Sequence, residues 1–160
     1  MKNYQIEGKD GKKYWIHRAI AISAFVFKID ADNNWFVLAN KRGKGTPDFQ
    51  GMWNCPCGYL DWDETLAQAC SREVKEECRI EILPSKFNQV MIHDTMDANL
   101  QNVTVRHYCV LVENVDNTKI GVGIEGEEDE VEEVMWIPVK DIDNYEWAFG
   151  HNKIIKQLMS

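Results

Sequence analysis

The chain has 160 residues and a formal net charge of −8, enough length for a substantial core and the wrong sign to attract a nucleic acid polymer. Residues 19–27 form the longest apolar stretch, but Ser23 interrupts it and it is far too short to span a bilayer; with no apolar run after Lys2, the expectation is a cytoplasmic protein without signal peptide or membrane partner. The five cysteines, Cys55, Cys57, Cys70, Cys78 and Cys109, suit reduced and mostly buried thiols, and the Cys55-x-Cys57 pair has no second pair nearby to complete a zinc site.

Asp10-Gly11 marks a turn within residues 9–12. Residues 14–29, rich in Ile, Val, Phe and Trp, read as a strand, and residues 35–41 as a second one. The polar turn at 30–34 joins them into a hairpin. Residues 42–51, with Gly43, Gly45, Pro47 and Gly51, read as loop, residues 52–56 as a short strand and residues 57–63 as loop again. The clearest helix is 64–78, where Leu66, Cys70, Val74 and Cys78 recur every fourth position, with Asp63 expected as its cap. Strands are expected at 88–93, 103–113 and 131–138, and a last helix at 148–159. This order of strands, helix, strands and helix argues for a mixed α/β sandwich of the α+β kind rather than a doubly wound parallel sheet.

Glu73, Glu76 and Glu77 stand at i, i+3 and i+4, on one face of the first helix. By spacing alone, a solvated acidic face is the simpler account. The same holds for most of the run at 125–133, which carries seven carboxylates. Arg42, Lys41 and Lys44 follow the second strand, and Arg42 is the candidate among them for holding phosphate. Trp35, Trp53, Trp62 and Tyr59 read as core or loop anchors before base-stacking groups, and His151 reads as structural.

The residues ahead of the helix change the weight of its glutamates. Gly58 is followed five residues later by Glu64, and seven residues after that comes Arg72-Glu73-Val74-Lys75-Glu76-Glu77. This segment closely resembles the Nudix box, with one departure: Arg79 stands where the pattern has Gly, and Ile80 closes it. The approach Trp53-Asn54-Cys55-Pro56-Cys57-Gly58 resembles the family's Trp-x-x-Pro-Gly-Gly, with Cys57 in place of the first Gly, and Trp136-Ile137-Pro138 resembles its last strand. A Gly at 79 would end the helix in the left-handed conformation, which costs a side-chain-bearing residue about 1 kcal/mol unless the turn takes another shape.

The resemblance implies one Nudix hydrolase domain over 1–160 with an α/β/α sandwich around a mixed sheet. It implies a metal-dependent diphosphatase that cleaves a nucleoside diphosphate linked to another moiety, of nucleotide or nucleotide-sugar type, by attack of metal-activated water. The cofactor would be Mg²⁺ or Mn²⁺, a hard cation suited to carboxylates. Glu73 and Glu77 would be its principal ligands, with Glu76 and the Cys57 carbonyl beside them. Glu76, Glu130 and Arg72 form the candidate catalytic set, with Glu127 and Glu128 competing with Glu130 for the role of loop carboxylate. Gly58 and Glu64 would support the site, Glu64 by pairing with Arg72, and Arg42 would meet the substrate. The partner is a small phosphorylated substrate, and a homodimer is an assembly the resemblance allows. Alternatives are a ligand-sensing domain without catalysis and, less favoured, an isoprenoid-diphosphate isomerase.

Overall fold

The structure, a computed structural model, describes residues 4–93, 102–111, 120–122 and 129–160. The first hairpin pairs β1 (Tyr4–Glu7) with β2 (Lys13–Ile16) as a sheet of its own. Its turn is the expected one: Gly11 takes φ +76°, and the Asp10 carboxylate accepts from the Lys12 amide and the Tyr14 hydroxyl. The apolar run at 14–29 is not one strand. It breaks at His17-Arg18, because β2 and β3 (Ala19–Ile29) belong to different sheets. The Arg18 guanidinium donates at this break to the Asn102 carbonyl, 2.6 Å away.

β3 is the central strand. β8 (Asn102–Leu111) runs parallel to it along nearly its whole length. Its other edge is shared by β4 (Trp35–Arg42), paired antiparallel through the 30–34 turn, and by β6 (Cys57–Tyr59). β5 (Trp53–Asn54) and β9 (Val131–Pro138) flank β4, and β7 (Asn88–His93) extends the sheet beyond β8. β6 replaces the loop expected there: Cys57, Gly58 and Tyr59 find Ser23, Ile22 and Ala21 as partners, a pairing between segments over thirty residues apart.

Alternation along β3 sorts the core into two layers. Ile22, Ala24 and Val26 face α1 (Leu66–Cys78) and pack on Ala69, Cys70, Val74 and Cys78. Phe25 and Phe27 face the other way, onto Trp53, Ile137, Trp147 and Ile155 of α2 (His151–Leu158). Each such large apolar side chain contributes about 1.5–3 kcal/mol on burial. The result is an α/β/α sandwich around a mixed sheet, as expected. Among the described residues no helix is long and apolar enough to cross a membrane.

Both ends of α1 have local causes. The N-cap is Thr65 rather than Asp63: Thr65 Oγ1 accepts from the Gln68 amide while Gln68 Oε1 accepts from the Thr65 amide. This reciprocal pair satisfies two N–H groups that the helix leaves open, which a lone Asp63 would not do. At the other end Arg79 takes the left-handed conformation, φ 58° and ψ 26°, and its amide donates to the Lys75 carbonyl. The turn therefore keeps the shape a Gly would give it. The second helix is shorter than the expected 148–159, because Phe149 (φ 57°) and Gly150 (φ 66°) put a tight turn ahead of His151.

Comparing Arg79→Gly with Arg79→Ala isolates the backbone term, since both remove the same side chain. Arg79→Gly should be the more stable of the two by about 1 kcal/mol in denaturant melts. Equal stabilities would show that the left-handed turn carries no strain.

Candidate active site

The glutamate face of α1 lies against β6, and one guanidinium organises the contact. Arg72 donates through Nε and Nη2 to Glu64 (3.0 and 2.7 Å), through Nη1 to Glu73 and Glu76 (2.7 and 2.8 Å), and through Nη2 to the Tyr59 carbonyl (2.9 Å). These bonds hold Arg72 in its charged form even more firmly than usual, the Glu64 bonds foremost, and they hold the Glu64 carboxyl below its ordinary range. Gly58 lies under this cluster, where a Cβ would overlap the Glu73 carboxylate.

Glu77 turns away from Arg72 toward the strand. Its Oε2 accepts from the Cys57 amide at 3.2 Å. The neighbouring amides of Ala24 and Leu60 complete the β3–β6 ladder to Pro56 and Ile20, so strand alternation puts the Cys57 N–H and carbonyl on the edge away from β3. The Glu77 carboxyl is pushed well above the usual range, first by loss of surrounding water, then by the charge of Glu73, with a further contribution from Glu130.

Glu130 reaches this place through backbone contacts. The Gly43 amide donates to the Glu130 carbonyl and the Gly45 amide to that of Asp129, an approach so close that a Cβ on Gly43 would overlap the Asp129 carbonyl oxygen. Glu127 and Glu128 lie outside the described residues.

A cavity of about 570 Å³ opens beside these groups, and Glu77, Glu130, Cys57, Gly58 and Arg42 are among its walls. Arg42 is mostly buried; its Nη2 pairs with Asp48 at 2.7 Å and its guanidinium stacks 4.9 Å from the Phe149 ring centre. Of the aromatics, Tyr59 lines the cavity, Trp35 and Trp53 belong to the core, and Trp62 is fully exposed. Phe49, Phe149, His151 and Arg106 also line the cavity. None of these four belongs to a sequence motif that marks a site. The available signal was an arginine inside the apolar alternation of β8.

The donors suit a hard divalent ion. They comprise three carboxylates from one helix face, a backbone carbonyl and the Asn40 side-chain oxygen, which is buried on the cavity wall without a partner among the described residues. Like charges already crowd Glu77, so a cation there would relieve them. Among the described residues no three such side chains converge on one point, because Arg72 holds Glu73 and Glu76 while Cys57 holds Glu77.

His151 is structural as expected, and lines the cavity as well. Its Nδ1 accepts from the Cys55 amide at 3.0 Å, which leaves the ring proton on Nε2. Burial, then the charges of Arg106 and Arg42, lower its pKa to about 3.

The family model described as NUDIX domain matches residues 18–158. The chain is 28% identical over 156 residues to an ADP-ribose pyrophosphatase of Methanocaldococcus jannaschii, spanning 96% of this chain and 82% of that protein. The NUDIX domain of Shewanella oneidensis NrtR, solved in complex with ADP ribose, superposes with a TM-score of 0.70 at 25% identity, covering 89% of this chain and 86% of that one. A bifunctional NMN adenylyltransferase/ADP ribose pyrophosphatase of Francisella tularensis, solved with AMP and a Mn ion, gives 0.65 at 25% identity, over 89% of this chain and 41% of that one.

The lowered His151 pKa has a stability consequence. Between about pH 6.5 and 3 the unfolded chain holds a proton on this residue that the folded chain does not, so stability falls as the pH drops through that window. Replacing His151 with Asn, whose side-chain oxygen can still accept from Cys55, should flatten the decline between pH 6 and 4 by about 1 kcal/mol per pH unit. An unchanged slope in urea melts would assign the decline to carboxylates alone.

The glutamate helix seated on β6, with a family match over most of the chain, identifies the chain as a member of the Nudix family and a diphosphatase of the Nudix type.

Proposed function

We propose that the chain hydrolyses the phosphoanhydride bond of a nucleoside diphosphate linked to a sugar, with ADP-ribose the first substrate to test and Mg²⁺ or Mn²⁺ as cofactor. The observation that carries this is the meeting of the α1 glutamate face with Cys57 at the edge of a cavity large enough for a nucleotide. The relatives named for ADP-ribose pyrophosphatase activity and the neighbour holding ADP ribose support the choice of substrate.

Glu73, Glu77 and Glu76, with the Cys57 carbonyl, are the residues to hold the cation. Bound there, a divalent ion neutralises diphosphate charge and makes water a better nucleophile near neutral pH. Arg72 orients Glu73 and Glu76 and fixes Glu64, while Gly58 leaves room for the Glu73 carboxylate. Glu130, held at the cavity by Gly43, is the carboxylate to take a proton from water. Arg42, fixed by Asp48 and Phe149, offers its remaining charge to the phosphates.

Two measurements test this. Incubation with nucleoside diphosphate derivatives, ADP-ribose first, should give two monophosphate-bearing products only when Mg²⁺ or Mn²⁺ is supplied. Turnover that survives exhaustive chelation overturns the metal assignment. Glu77→Gln should lower kcat by roughly 100-fold or more while the melting temperature stays level or rises, because a half-buried carboxylate crowded by like charge is replaced by a neutral acceptor for the Cys57 amide. A near-wild-type kcat excludes Glu77 as a ligand.

A further inference from the structure

The cavity has a second charged end. Arg106 on β8 pairs with Ser23 on β3, and Ser23 pairs with Cys57 on β6, so the three stand in one row across neighbouring strands. Paired residues share a face of the sheet, and two strand spacings put the Arg106 Cα roughly 10 Å from that of Cys57. All three line the cavity.

Arg106 is only 7% exposed. Its Nη1 approaches Met91 Sδ at 3.2 Å, and its buried Nε has no partner among the described residues. No ion pair among those residues includes it, whereas Arg42, on the same cavity, has Asp48. Burial alone acts on its pKa, downward, with no anion opposing it. Arginine does not escape burial by giving up its proton, so a charge is kept where a hydrophobic side chain would pack at less cost. His151, on the same cavity wall, adds a neutral N–H donor. This end of the cavity therefore offers donors and positive charge, opposite in sign to the end formed by Glu77 and Glu130.

We propose that Arg106 binds a second oxyanion of the substrate, a phosphate or carboxylate carried beyond the scissile diphosphate, and so selects substrates that bear one. The inference rests on the diphosphatase reading, because it takes the scissile diphosphate to lie at the α1 glutamates. The strand spacing then acts as a ruler between the two anionic groups.

The test is equilibrium binding by calorimetry with Mg²⁺ present, on two matched pairs in which a methylene bridge replaces the scissile oxygen so that nothing turns over. One is ADP-ribose against ADP-ribose bearing a 2′-phosphate; the other is UDP-glucose against UDP-glucuronic acid. The wild-type chain should bind the extra-anion member of at least one pair roughly tenfold more tightly or better, and the responding pair tells phosphate from carboxylate. Arg106→Met should abolish the difference while the plain member stays within about threefold, and its melting temperature should equal or exceed that of wild type. Arg106→Lys, which keeps the charge without the planar fork, should retain part of the preference. Equal weakening of both members by Arg106→Met overturns the proposal, as does a wild-type chain that shows no preference in either pair or no binding of the anion-bearing members. Failure of cation-dependent hydrolysis, by contrast, would remove the diphosphatase reading and leave the binding difference standing.

Discussion

Everything at the candidate site depends on how Arg72 distributes its hydrogen bonds. A guanidinium has five N–H donors in one plane, and the five bonds to Glu64, Glu73, Glu76 and the Tyr59 carbonyl occupy all of them. Isolated ion pairs at a surface contribute little, about 1 kcal/mol or less. Here three carboxylates and a strand carbonyl share one cation, so loosening any partner disturbs the rest. The bond to Tyr59 fixes the end of β6 to α1, and that fixes Gly58 against Glu73 and the Cys57 amide against Glu77. A lysine at 72 has only three donors and no plane, and could not hold this arrangement.

The cavity beside this cluster is organised by charges that do not favour the folded state on their own. At one end Glu77 is crowded by Glu73 and Glu130 and has little water to shield it. At the other, Arg106 is buried with no counter-ion among the described residues. Core positions elsewhere in β3 and β8 carry Ile, Val, Phe and Cys, which pack without such penalties. Opposite charges that face one cavity, each poorly compensated among the described residues, are what a site for a cation and an anionic ligand needs.

The parts of the fold set by neighbours in sequence were legible from sequence. The 30–34 turn with its hairpin, the periodicity of α1, and strands 88–93 and 131–138 all follow from local turn chemistry and alternation. Features decided by distant partners were not. The break at His17-Arg18 exists because two sheets compete for one apolar run, and β6 exists only because β3 lies alongside it. Thr65 outcompetes Asp63 as cap through a reciprocal bond with Gln68, a local signal three residues along the chain. The candidate site divides the same way. Its helix half stood out through fixed spacings around Glu64 and Arg72. Its cavity half, Phe49, Phe149, His151 and Arg106, comes from four separate segments that share no spacing rule.

The rim of that cavity shows how backbone strain is accommodated. Phe49 and Phe149 both adopt positive φ, 51° and 57°, where a side chain costs about 1 kcal/mol or more relative to Gly. Their rings meet edge to face at 5.0 Å, and Arg42 lies over Phe149. An aromatic pair contributes about 0.5–1.5 kcal/mol and a cation–π contact about 0.5–2 kcal/mol, of the same size as the two backbone penalties together. The strain is thus matched in size by contacts made at the same two residues. Arg42 is the shared member: Asp48, one residue before Phe49, holds its guanidinium in the position Phe149 needs. Residues far apart in the chain are thereby joined in one rim, and the side chain proposed to meet the phosphates is held there by protein contacts.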